Sequence, residues 1–96
     1  MLDEHEDVEW ERITFVKARV LAGLEDQQTE QRIADGLNVA LSTVRTHVGE
    51  LKAISGCGDV RELGKWWRRN RLEWAAWCVR QAGILPDEGE TLPGVG

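Results

Sequence analysis

Residues 29–56 read TEQRIADGLNVALSTVRTHVGELKAISG, and the spacing of their apolar positions decides the fold. Ile33, Ala34 and Leu37 fall on one side of a short helix. Thr29 stands ahead of them with an oxygen suited to capping free N–H groups, and Glu30 suits the positive end. Gly36 weakens the end of this helix. Asn38 sits where a tight turn wants a residue that tolerates positive φ. Val44, Val48 and Leu51 then recur at spacings of four and three, which predicts a helix over 42–54, and Gly56 and Gly58 end it. Two helices joined by so short a turn describe a helix-turn-helix. Ala34 is small enough for the crossing point, and Ile33, Leu37, Val39, Val44 and Val48 can lock the pair. The opposite face carries Ser42, Arg45, Thr46, Gly49 and Lys52. It is polar, partly basic, and narrow enough for a DNA major groove about 12 Å wide.

Upstream, Trp10, Ile13, Val16, Val20, Leu21 and Leu24 mark one face of a further helix. Either Thr14 caps it or it begins earlier, near Asp7. Glu25-Asp26-Gln27-Gln28 is a polar break. Downstream, residues 59–82 read as helical, with Gly83 and Pro86 as stop signals. Four of the five tryptophans fall in this region: Trp66, Trp67, Trp74 and Trp77. Val60, Leu63, Trp67, Asn70, Trp74, Trp77 and Gln81 share a stripe, with Trp66 off it. That stripe has two uses. It packs on the first three helices, or Leu63, Trp67, Trp74 and Trp77 form a dimer seam, because tryptophan covers a large area at little entropic cost. No run alternates as a strand would. The expected fold is all-α: a three-helix helix-turn-helix core with an elongated or doubled Trp-rich C-terminal helix. Its segments are an acidic arm (1–11), the core (12–58), the C-terminal helical region (59–85) and a flexible tail (86–96).

The 96 residues suit one domain, and 42% hydrophobic with 30% charged residues is ordinary globular composition. No run approaches the ~18 apolar residues of a membrane span. The first residues are acidic where a signal peptide is basic and then apolar. A cytoplasmic protein with no membrane partner is expected. Cys57 and Cys78 form no CxxC, and with His5 and His47 they make no clustered metal-ligand set. No metal and no cofactor are expected. Nothing pairs His47 with a nucleophile, so the reading is binding and not an enzyme. The net charge of −5 is unevenly spread. Residues 1–11 hold six acids and no base, and 86–96 hold three acids. Between them twelve Lys and Arg face eight Asp and Glu, a mildly basic body between acidic ends. Local potential, more than the total, governs binding to an anion.

Ile13-Thr14, Val20-Leu21, Ile33-Ala34, Leu37, Thr43-Val44-Arg45-Thr46-His47-Val48 and Ser55-Gly56 fall in this order without a gap. This pattern resembles the helix-turn-helix of LuxR-type transcriptional regulators over residues 13–56, with TVRTHV its most specific part. Arg61-Glu62-Leu63 and Arg71-Leu72-Glu73-Trp74 are also similar to that family's fourth helix. The resemblance implies that the third helix enters the major groove and the fourth dimerises. It also implies that Arg45 and Thr46 face bases, and that Thr43 and His47 lie near phosphate. Thr29 would open the phosphate-facing scaffold helix. The chain departs from the pattern at Lys17 and Arg19, where a Glu is usual. It departs again at Ala40, where a capping Ser or Thr is usual and Ser42 follows late. Gly49 occupies a position that often carries a contacting side chain in that family, and Glu50 replaces a frequent Asn.

Each candidate also has a plainer use. Arg45 and Lys52 are solvated charges, His47 is a structural residue, Thr29 is only a cap, and Gly49 is tolerated at about 1 kcal/mol relative to Ala. The function expected is a sequence-specific regulator that binds double-stranded DNA as a homodimer through Thr29, Ser42, Thr43, Arg45, Thr46, His47, Gly49 and Lys52. Two rivals stand beside it. One is a module like region 4 of bacterial sigma factors, with RNA polymerase or another regulator as partner. The other is a protein-interaction adaptor that keeps the fold without DNA binding.

Overall fold

The computed structural model describes residues 8–83. A single 3₁₀ turn at Trp10–Arg12 precedes four helices: α1 (Phe15–Glu25), α2 (Glu30–Leu37), α3 (Leu41–Ser55) and α4 (Val60–Ala82). There is no strand among the described residues, so the all-α expectation holds. The acidic residues before Val8 and the tail 86–96 lie outside the described residues.

Local chemistry sets the helix ends. Thr14 caps α1, its Oγ1 accepting from the Lys17 N–H at 3.3 Å, which decides between the two starts the sequence allowed. Thr29 caps α2 in the same way, accepting from the Arg32 N–H at 3.1 Å. Asn38 ends α2 in the left-handed region at φ 60°, and the next N–H, of Val39, returns to the Ala34 carbonyl at 3.0 Å. Asp59 caps α4 by accepting from the Glu62 N–H at 2.9 Å, while Glu62 accepts from the Gly58 N–H at 3.0 Å. Only α3 lacks a side-chain cap. Its N-cap is Ala40, and Ser42 lies inside the helix rather than capping it. α3 is therefore one residue longer at each end than the expected 42–54.

Val20, Leu21, Val44, Leu51 and Leu63 are the most deeply buried large side chains, joined by Ile13, Leu24, Ile33, Ala34 and Val48. The expected α1 stripe is wrong at Val16, which is 44% exposed, while Ala18 is buried. The reason is the break at Ile13 and Thr14. It separates the 3₁₀ turn from α1, so a helical phase started at Trp10 does not carry into the helix.

α4 is one unbroken helix of 23 residues, not two. It runs back along α1, with Gly64 against Leu24 at one end and Trp74 against Ile13 and Phe15 at the other. Gly64 is required there, because a Cβ would stand 2.8 Å from the Leu24 carbonyl oxygen. Trp66, off the predicted stripe, is nevertheless buried. It stacks on Trp10, ring centroids 6.0 Å apart, so the 3₁₀ turn forms a second wall against α4.

Candidate nucleic-acid interface

α3 is sided as its periodicity requires. Val44, Val48 and Leu51 fill the core, while Ser42, Arg45, Thr46 and Gly49 are exposed on the opposite face. Ala53, which the sequence reading passed over, extends that exposed row by another turn. Its only signal was position, four residues after Gly49 on the face away from Val44. Thr43, His47 and Lys52 are half-buried on the flanks, and Thr29 is exposed at the start of α2. The centre of the face therefore carries small side chains, with a cation on one border.

Arg45 is the most prominent of these, with 65% of its side chain in solvent. Its Nε lies 3.5 Å from Glu30 Oε1, a contact that ties α3 to the first turn of α2. So exposed an ion pair holds its partners weakly, and the guanidinium edge remains available for a bidentate contact.

Two departures from the LuxR pattern meet in space. Lys17 Nζ reaches across from α1 to Glu50 Oε1 at 2.9 Å, with the lysine side chain only 14% exposed. Lys17 Nζ also donates to the Arg12 carbonyl at 3.3 Å. The hydrogen bond and charge of Lys17 hold the Glu50 carboxyl below its ordinary range. The acidic group that sequence alone sets near the outer face is thus matched by a cation. His47 belongs to the same group. Its Nδ1 is buried without a hydrogen-bond partner among the described residues and lies 3.6 Å from Glu50 Oε1.

All four candidate seam residues of the tryptophan stripe pack against the chain's own core, the first two more deeply than the second two. Leu63 and Trp67 are buried in the chain's own core. Trp74 is half-buried and donates its Nε1–H to the Ile13 carbonyl at 2.9 Å, with Phe15 edge-on to its ring. Trp77 is half-buried, and Leu72 on the far side of α4 is 78% exposed. Any seam on α4 must therefore use its second half.

Among the described residues no three His, Cys, Asp or Glu side chains gather to hold a metal ion. No described helix is long and apolar enough to cross a membrane. Comparison with models of protein families, with curated proteins and with solved structures returns no match.

Proposed function

We propose that this chain is a transcriptional regulator that binds double-stranded DNA sequence-specifically, reading the major groove with α3 as a homodimer. One observation carries this reading. α3 buries Val44, Val48 and Leu51 and leaves Ser42, Arg45, Thr46 and Gly49 uncovered by the rest of the described chain. Small side chains along the centre of that face let the helix backbone approach base edges, and Arg45 supplies the bidentate donor that guanine accepts. Thr29, Thr43, His47 and Lys52 border the same face and serve phosphate contacts and positioning. Dimerisation through the second half of α4, around Trp77, would place two such faces on one duplex. Half-sites then lie about one helical turn apart or a multiple of it. The LuxR resemblance of residues 13–56 supports the same assignment.

The adaptor reading keeps one observation in its favour: Glu30 pairs with Arg45 of this face, and Glu50 borders it, paired with Lys17 of α1. The test separates the two. Fluorescence anisotropy of the full chain on a selected duplex should show that Arg45→Ala weakens specific binding by about 1–3 kcal/mol, the scale of a good base contact. Unchanged affinity removes α3 from the groove.

A further inference from the structure

A groove of about 480 Å³ lies between the start of α4 and the loop joining α1 to α2. Its floor is Leu24 and Gly64, and Gln27 stands on one rim. The other rim is a row of three exposed cations, Arg61, Lys65 and Arg68, at i, i+4 and i+7. Their backbone positions span about 10 Å along the helix. None of the three has an ion-pair partner among the described residues. The one carboxylate lining the groove, Glu25, is already matched. Arg71 Nη1 donates to both its oxygens at 2.7 and 2.8 Å. Neutralising that carboxylate leaves the groove a cationic wall.

The opposite rim adds a second signal. Gln27 adopts φ 62°, a conformation that glycine or asparagine takes at lower cost. Keeping glutamine there places a side-chain amide at the groove. Gln28 also lines it and is followed directly by Thr29, the exposed residue that caps α2. The groove therefore borders the loop that leads into α2.

We infer that this groove is a grip for the phosphate backbone of a nucleic-acid duplex, made by Arg61, Lys65 and Arg68 outside the base-reading helix. The inference rests on the DNA-binding reading. The ligand chemistry is phosphate, and the shape selects the source. Cations strung along a helix match a row of phosphates, whereas a free phosphate is held by donors converging on one point. Such contacts position the protein without reading sequence.

The test is the salt dependence of binding by the full chain, wild type against Lys65→Gln/Arg68→Gln, on a selected duplex and on a random one. Circular dichroism should show unchanged helix content, since both side chains are exposed. Each lost phosphate contact should flatten the log–log salt slope by about 0.9, so the double variant should flatten it by about 2. Affinity should fall by the same factor on both duplexes. A full wild-type slope in the variant, with binding retained, overturns the grip and leaves the α3 assignment standing. Absence of duplex binding by the wild type even at low salt overturns both. A parallel tryptophan-fluorescence titration with pyrophosphate separates the sources. Binding that the variant loses while its DNA slope stays unchanged assigns the groove to a free phosphate ligand and overturns the backbone grip.

Discussion

At the scale of single residues, Glu50 shows how the fold changes the meaning of a charge. Read alone, it sets a negative group beside a face meant for DNA. In the structure Lys17 lies 2.9 Å away and draws the carboxyl below its ordinary value of 4.5. Folding therefore favours the ionised form. The resulting stabilisation is complete above the unfolded value of 4.5 and is lost as pH falls from there through the lower folded value. The Glu50 side of the pair is solvent-accessible, so the contribution is small. Glu50→Gln should flatten the acid limb of a plot of thermal midpoint against pH, by a small fall in the midpoint near neutrality and none at the acid end, where Glu50 is protonated anyway. An unaltered acid limb would show that the Lys17 contact does not form in solution. Arg45 is the complementary case. Its charge was visible in the sequence, but its partner Glu30 was not, because the two meet only when α2 and α3 cross.

At the scale of elements, the helix ends carry the sharpest expectations. Thr14, Thr29 and Asp59 each cap a helix with an oxygen that accepts from a backbone N–H, and α3 starts on Ala40 without one. Ala40 already has the extended backbone of an N-cap, φ −71° and ψ 150°. Ala40→Ser should therefore stabilise the protein by about 1 kcal/mol. Urea denaturation monitored by circular dichroism checks this, and a loss of stability would mean that α3 begins elsewhere. Most of the elements were legible in the sequence. Apolar spacing placed the buried sides of α2 and α3, and Asn38 marked the turn between them. Val16 and Trp66 were misread for one reason. Periodicity assumes an unbroken helix with a single partner. The break at Thr14 resets the phase of α1, and the 3₁₀ turn gives α4 a second partner in Trp10. Whether residues 59–82 make one helix or two also depends on packing, here that of Gly64 and Trp74 along α1.

At the scale of the whole molecule, the core lies under the first half of α4 and leaves the second half largely exposed. The Cα radius of gyration is 15.2 Å, against about 13 Å for a compact domain of ~100 residues. The extents of 44 × 38 × 19 Å describe a flattened body. The candidate DNA residues were legible because they share one helix face. The groove cations were less so, because Gly64 and the α1–α2 loop form the groove only after α1 and α4 pack. Dimerisation belongs to this scale. Sedimentation equilibrium should give a mass near twice 10.8 kDa, and Trp77→Ala, in the proposed seam, should lower it towards one chain, with circular dichroism checking that helix content is kept. A wild type that stays monomeric at high concentration contradicts the homodimer.

The most direct test of the central claim is selection of bound sequences from a pool of random duplexes at near-physiological salt. The account predicts enrichment of a palindrome whose half-site bases change when Arg45 or Thr46 is substituted. A pool that stays random after repeated rounds, with the protein folded, would contradict the assignment of α3 to the major groove.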